Sequence, residues 1–292
     1  MSFLAFDLGG TRLKAGLVSS EGGRAARSAS IPTPGADQVL ALLMQTGERL
    51  LEGATADGVG LCLPGLVDDG RTIALPGKLD GIVGVDLASP LREAFGHDPV
   101  VVNDAIAAGA GEVAFGAGRG AQRVVTMTIG TGVGVTVFED GRPLGTGVVG
   151  GGILGGQIPV GLGGSDTSGR GGTIEALCRA QRIVDLANDA GGSFGSVEDV
   201  FRANAADDVA ASTGVARYRA GLARALVALA QAHAPDRIVV GGGPVTSDNP
   251  LTPGMTDMIA PNLFAGYTVE VRAAQLGDDA ALAGLAHLGG AA

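Results

Sequence analysis

Cysteine, histidine and basic residues are all scarce in this chain of 292 residues. Its two cysteines, Cys62 and Cys178, are isolated and sit in apolar surroundings, which points to buried thiols in a reducing compartment and to plain core packing for both. The three histidines, His97, His233 and His287, lie far apart. They support neither a Ser-His-Asp nor a Cys-His arrangement, and no Cys/His metal motif is present. Twenty Lys and Arg face thirty Asp and Glu, a net charge of −10 with no basic cluster, which disfavours a nucleic-acid-binding surface. There is no apolar run long enough to span a bilayer. The first residues enter a strand pattern at once, without a basic and apolar leader, so no signal peptide is expected and the location read from the sequence is cytoplasmic. No Pro/Ser-rich linker appears, so domains are expected to be joined by short crossings.

Glycine, by contrast, is abundant, with 52 residues. These glycines follow no three-residue period, which excludes collagen, and many fall in turns and loops, as several backbone-lined clefts require. Hydrophobic residues make up 46% of the chain, enough to fold it, and the length suits two domains with separate cores. Two glycine-threonine turns stand out. Asp7-Leu8-Gly9-Gly10-Thr11 lies between strand-like runs at 1–8 and 13–18, and Gly130-Thr131-Gly132 lies between runs at 124–129 and 133–138. Two such hairpins suggest a duplicated architecture with one phosphate loop in each half. Glycine lets backbone N–H groups approach phosphate oxygens closely, and the threonine hydroxyl adds a donor. Asp7, at the tip of the first strand, is placed to hold Mg²⁺ directly or through water. This pattern points to a nucleoside triphosphate.

Periodicity predicts a helix over 36–51, a short apolar strand over 59–63 ending at Pro64-Gly65, and a strand over 99–102 running into Asn103-Asp104 and a helix over 105–115. The segment 145–172 is glycine-rich with little periodicity, and a loop of that length is usually functional. Helices are predicted over 172–190 and 208–234, a strand over 237–240 ending in Gly241-Gly242-Gly243, and a terminal helix over 278–288 whose first turn carries Asp278 and Asp279. Alternating strands and helices indicate an α/β protein.

Phosphoryl transfer to an alcohol needs phosphate cradles, Mg²⁺, a base near the hydroxyl and a polar acceptor pocket. Asp104 follows a strand and opens a helix, at the strand end that faces ligand in α/β sheets, so it is a candidate base, with Asn103 a candidate hydroxyl ligand. Both are equally candidates for the helix cap. Glu175, taken alone, reads as a first-turn acid on a helix dipole. The triplet Gly241-Gly242-Gly243 after a strand is a common place for adenine or ribose to lie against backbone.

Taken together, these residues resemble the ROK family of sugar kinases, within the actin/hexokinase/Hsp70 ATPase superfamily. Asp7 to Thr11 matches the first phosphate motif, and Leu63-Pro64-Gly65-Leu66-Val67-Asp68 the sugar-side Pro-Gly loop. Val102-Asn103-Asp104-Ala105 matches the catalytic Asn-Asp motif, and Gly111-Glu112 the end of its helix. Ile129 to Gly134 matches the second phosphate motif, Gly241 to Gly243 the adenosine motif, and Leu276-Gly277-Asp278-Asp279-Ala280-Ala281 with Gly284 the C-terminal signature. The order is kept over nearly the whole chain. The resemblance implies a two-domain actin-like (ribonuclease H-like) fold, with a duplicated mixed sheet and an interdomain cleft closing on the substrates. Residues 1–117 with 279–292 would form a small domain and 118–278 a large one. It implies ATP and Mg²⁺, Asp104 as general base, and Gly65, Lys78, Asn103, Gln157 and Glu175 on the acceptor. Gly9, Gly10, Thr11, Lys14, Gly130, Thr131, Gly132 and Gly241 to Gly243 would lie on the nucleotide. A homodimer without nucleic-acid or membrane partners is implied as well.

The chain also departs from the family pattern. Gln157 stands where a zinc-binding, sugar-contacting histidine is usual, Leu154 where a sugar-binding glutamate is, and Thr173 in a cysteine's place; no zinc site is expected. Lys78 replaces a sugar-contacting asparagine and Ile82 a tryptophan. Loss of a carboxylate removes charge-assisted hydrogen bonds worth roughly 1.5–3 kcal/mol each. The expected activity is therefore phosphorylation of a primary hydroxyl, the 6-position of a hexose, a modified or amino sugar or a C7 cyclitol. The alternatives are a non-catalytic sugar sensor, a glucokinase with an altered pocket, or a polyphosphate-dependent enzyme. The sensor is disfavoured because the base and both phosphate loops are present and no helix-turn-helix precedes the first strand. Polyphosphate would favour a basic groove, which is absent.

Overall fold

The computed structural model describes residues 2–19, 25–68, 71–74, 79–145, 150–161, 163–245, 250–264 and 266–290. Lys78, one of the predicted acceptor residues, lies outside them. The chain divides into two compact units, one of Met1–Arg119, Gly141–Gly151 and Asp278–Ala292, the other of Gly120–Asp140 and Gly152–Gly277.

The first unit opens with β1 (Ser2–Leu8), β2 (Arg12–Ser19) and β3 (Ala25–Pro32), followed by α1 (Val39–Leu51) and β4 (Gly58–Leu63). A hairpin of β5 (Leu66–Asp68) and β6 (Arg71–Ala74), helix α2 (Ala88–Phe95), strand β7 (Val100–Asn103) and helix α3 (Asp104–Phe115) come next. The sheet order is β3-β2-β1-β4-β7, with β1 antiparallel to β2 and parallel to β4, and β4 parallel to β7. Both faces of this sheet are covered, so β1 and β4 are apolar almost throughout rather than alternating. Leu4, Phe6 and Leu8 pack with Leu43, Leu61, Leu79, Ile82 and Leu91 on one face. Ile82, the replacement for an aromatic residue, is thus a core side chain, 1% exposed. Phe3, Ala5 and Cys62 pack on the other face with Leu282 and Leu285.

The second unit carries β8 (Arg123–Ile129) and β9 (Val133–Glu139); β10 (Arg142–Pro143), which falls in the first unit's Gly141–Gly151, follows in sequence. Four helices follow: α4 (Ile174–Cys178), α5 (Gln181–Asp189), α6 (Val197–Ala205) and the long α7 (Val209–His233). The chain then forms β11 (Arg237–Gly242), α8 (Met255–Ile259) and β12 (Glu270–Ala273), before α9 (Ala280–Gly290) completes the first unit. The second sheet runs β10-β9-β8-β11-β12. Its pairings repeat those of the first sheet: β8 is antiparallel to β9 and parallel to β11, and β11 is parallel to β12. Two mixed five-stranded sheets of one topology in one chain are the actin-like ATPase fold.

Two predicted elements differ in detail. The helix expected over 172–190 is broken into α4 and α5, because Arg179 is extended (φ −60°, ψ 149°) and the Ala180 N–H bonds to Gly130 O at 2.9 Å instead of continuing the helical ladder. The terminal helix begins only at Ala280, with Gly277–Asp279 forming a 3₁₀ turn before it. Helices α3 and α9 cross at backbone contact: a Cβ on Gly284 would lie 1.8 Å from Ala107 O, and one on Gly111 would lie 2.1 Å from Ala280 O. Glycine is required at both points of this crossing.

Candidate functional site

Strand register assembles the first cluster. Asp7, the penultimate residue of β1, pairs with Lys14 on β2 and with Cys62 on β4, and Cys62 in turn pairs with Val102 on β7, two residues before Asp104. Asp7 lies on the face of Phe3 and Ala5, because side chains alternate along a strand. The Cys62 thiol donates to Asp7 Oδ1 at 3.5 Å. Lys14 Nζ bonds Asp278 Oδ1 at 2.5 Å, just ahead of α9. Asp104 opens α3, where the helix N-terminus favours an anion. Burial, reinforced by the negative charge of Asp7, nevertheless raises its carboxyl to about 6. Burial also raises Asp7, against the pull of Lys14 and the Cys62 hydrogen bond. The Cys62 thiol is pushed well up, by burial first and then by Asp7 and Asp104. The result is two partly buried carboxylates, with the charge of Asp7 felt at Asp104, which a divalent cation would relieve.

Asn103 does the capping. Its Oδ1 accepts from the Ala105 N–H at 2.8 Å, and its Nδ2 donates to Gly65 O at 2.7 Å. One buried amide thus starts α3 and ties the Pro64-Gly65 loop to it, while Asp104 also accepts from the Ala105 N–H. The turn at Gly9–Thr11 is closed by Gly9 N to Arg12 O, and Thr33 braces it through its N–H to Thr11 O and its hydroxyl to Gly9 O. Gly10 and Thr11 are exposed, and open space lies where a Gly10 Cβ would stand.

The second cluster lies within the other unit. Gly130 N bonds Gly132 O at 2.9 Å, closing the turn between β8 and β9. Gly242 pairs with Ile129, so the glycine triplet sits beside that turn. Gly242 has φ +100°, and a Cβ there would meet Ile129 O at 2.0 Å; a Cβ on Gly241 would meet Ala274 Cβ at 2.8 Å. Packing alone therefore demands the first two glycines, while Gly243 faces open space. Glu175, only 5% exposed, reaches back to the same turn. Its Oε2 accepts from Val133 N–H at 3.2 Å, and its Oε1 accepts from both the N–H (2.7 Å) and the hydroxyl (2.6 Å) of Thr167.

Around Thr167 the chain is tied by Asp166. Asp166 Oδ1 accepts from Ser168 N–H, Ser168 Oγ and Arg170 N–H at 2.7 to 2.9 Å, and Oδ2 accepts from Arg170 Nε at 3.2 Å. Burial would raise this carboxyl, but the bonds from Ser168 and Arg170 outweigh it and hold it below the usual carboxylate range. Arg170 also donates to Gln157 Oε1. Thr173 caps α4 by accepting from the Ala176 N–H, and its hydroxyl reaches Asp166 Oδ2 at 3.4 Å. Leu154 is 48% exposed. The stretch 166–170 of the segment 145–172 is thus more ordered than its lack of periodicity predicts, and Asp166, Thr167 and Arg170 are not singled out by the sequence. The Asp-x-Ser spacing of an Asx turn was the signal available. Nor does the sequence show that Asp278 partners Lys14 and that Cys62 touches Asp7.

The ROK family pattern matches residues 3–291. The chain belongs to the ROK family. It is 28% identical to a glucokinase of Thermotoga maritima, over 99% of this chain and 97% of that protein. It is 30% identical to an N-acetylmannosamine kinase of Citrobacter koseri, over 99% of this chain and 98% of that one. Among solved structures, a ROK family glucokinase from Streptomyces griseus in complex with glucose and AMPPNP superposes with a TM-score of 0.81 at 27% identity, covering all of both chains. These three relatives of this ROK protein are sugar kinases. No helix among its described residues is long and apolar enough to cross a membrane.

Proposed function

We propose that this ROK protein is an ATP-dependent kinase that transfers the γ-phosphoryl group to a primary hydroxyl, the 6-position of a hexose, a modified or amino sugar or the equivalent CH₂OH of a C7 cyclitol. The observation that carries the reading is Asp104: a carboxylate at a strand end and helix start, raised to about 6 beside Asp7. At neutral pH it is ionised, yet poised to accept a proton. Asp104 takes the proton of the acceptor hydroxyl. The oxygen forms its bond to the γ-phosphorus as the bond to the ADP oxygen breaks, and ADP leaves with that electron pair. Positioning and charge stabilisation supply most of the catalysis in such transfers.

In this reading residues 1–117 with 279–292 hold the first phosphate turn, Gly9 to Thr11 with Lys14, and the base. Residues 118–278 hold the second turn, Gly130 to Gly132, and the Gly241–Gly243 face for adenosine. Asn103 keeps one amide hydrogen for an acceptor hydroxyl after capping α3 and holding Gly65. Lys78 and Gln157 complete the acceptor set, to which the family resemblance alone adds Glu175. Oxygen donors and two mutually repelling carboxylates suit Mg²⁺, with Asp7 its holder. The ion, when bound, neutralises charge on the transferring phosphate. Zinc has no part in the reading, which is supported by Gln157 accepting from Arg170 and Thr173 capping α4. The exposed Leu154 favours an acceptor with fewer or different polar groups than glucose. The two buried free thiols suit a cytoplasmic setting.

The test is ADP release from MgATP over glucose, mannose, fructose, N-acetylated and free amino sugars and C7 cyclitols, with Asp104→Asn alongside. Turnover of one acceptor, abolished by Asp104→Asn, supports the kinase and names its substrate class. No acceptor above background ATPase favours a sensor. Activity that survives Asp104→Asn removes Asp104 as the base.

A further inference from the structure

Glu175 is the acid that family resemblance puts on the sugar, yet its carboxylate is engaged elsewhere. A carboxylate offers about four acceptor sites. Three are filled, by Val133 N–H and by the N–H and hydroxyl of Thr167. Val133 is the residue immediately after the second glycine-threonine turn, and a Cβ on Gly132 would come within 2.9 Å of Glu175 Oε2. The carboxylate therefore packs directly against the turn that would cradle donor phosphates. Thr167, its other partner, is exposed, so this buried anion is anchored from the surface. The anchor is itself set: Asp166, with its side chain fully buried, fixes the backbone of Ser168 and Arg170 on the C-terminal side of Thr167. Arg170 links the segment to Gln157.

From this connected chain of bonds we infer that Glu175 and Thr167 are positioning residues for the donor-phosphate turn Gly130–Gly132. Asp166 holds Thr167 in the conformation that delivers both of its donors to Glu175. The inference rests on the reading of that turn as a nucleotide site, and it moves the main effect of Glu175 from the acceptor to the donor. Removing the Thr167 hydroxyl leaves Glu175 Oε1 with the N–H alone. The carboxylate then has more freedom, and so has the Val133 N–H that orients the end of the turn. Hydrogen bonds to charged groups are the stronger ones, and water can replace part of this one at an exposed position.

The decisive experiment is calorimetric binding of a non-hydrolysable ATP analogue with Mg²⁺ to the wild type, Thr167→Val and Thr167→Ser, with thermal melts confirming that each is folded. Thr167→Val keeps shape and N–H and loses only the hydroxyl. The expected result is about three- to tenfold weaker nucleotide binding in Thr167→Val, restored to within about twofold in Thr167→Ser. In turnover the KM for MgATP rises by the same factor while the KM for the acceptor stays within about twofold. Unchanged nucleotide affinity in Thr167→Val, failure of Thr167→Ser to restore it, or an effect confined to the acceptor KM overturns the inference and leaves the kinase reading standing. A wild type that binds no nucleotide overturns both.

Discussion

Replacing Asp104 with asparagine should stabilise the protein while destroying its activity, and the stabilisation should depend on pH. Asp104 rises from an ordinary 3.8 to about 6 in the fold, with burial the largest cause and the charge of Asp7 the second. The ionised form is therefore less favoured in the folded chain than in the unfolded one, by about 3 kcal/mol. The sign is fixed by the raised value. Below about pH 4 the group is protonated in both states and costs nothing. Between about pH 4 and 6 the unfolded chain releases its proton first, so stability falls as pH rises; above about 6 the full penalty is present. Asparagine has the same shape, can still accept from the Ala105 N–H, and carries no charge. Allowing for relaxation, the variant should gain roughly 1–2 kcal/mol at pH 7.5 and almost nothing at pH 4. Urea unfolding of both proteins at four or five pH values without Mg²⁺ measures this directly. A variant less stable than the wild type at pH 7.5, or a difference of the same size at pH 4 and 7.5, would refute the claim that Asp104 is a strained, desolvated anion.

Three further outcomes follow from the same geometry. If Asp104 is the base, as proposed, the acidic limb of kcat/KM for the acceptor should bend near pH 6 and fall about tenfold per pH unit below it, since only the ionised carboxylate could accept the proton; a profile flat from pH 7 to 5 contradicts this. Asn103→Ala removes the α3 cap and the tie to Gly65, at a cost of about 1–2 kcal/mol in stability, and should lower acceptor kcat/KM beyond what stability explains; thermal melts and steady-state kinetics separate the two effects. Gly284→Ala drives a methyl group into Ala107 O, so α3 and α9 must separate, with an expected loss of at least about 1–3 kcal/mol. A melting temperature equal to wild type would show that the crossing has slack.

Much of the scaffold could be read from apolar runs and glycine turns. Strands β1, β2, β4, β7, β8, β9 and β11 lie within a residue or two of their expected positions, because their patterns are strong and their turns are marked by glycine or proline. Helix α6 is not legible in the sequence: it buries only one side chain, Val200, so it projects no broad apolar stripe into sequence. The break between α4 and α5 depends on a tertiary bond from Ala180 to Gly130, which no local pattern encodes. In the candidate site, Asp7, Asn103 and Asp104 stood out because strand ends are where side chains meet ligands. The network through Asp166 and Arg170 did not, since polar residues among glycines look alike until the chain closes on itself. For Asn103, the cap and the functional candidate are one side chain, because a single amide serves both N–H and C=O partners.

The Gly111–Gly284 crossing also imposes a timetable. Helix α3, which carries Asp104, leaves the ribosome long before the α9 backbone it must touch. At translation rates of about 5–20 residues per second, the stretch from Phe115 to Gly290 takes roughly ten to thirty-five seconds. The second unit, ending at Gly277, has all its residues before α9 exists. For that interval the face formed by Phe3, Ala5 and Cys62 waits without Leu282 and Leu285. The unit that bears Asp104 is therefore the last to be completed, and a chain stalled before α9 carries that residue on a helix with no floor beneath it.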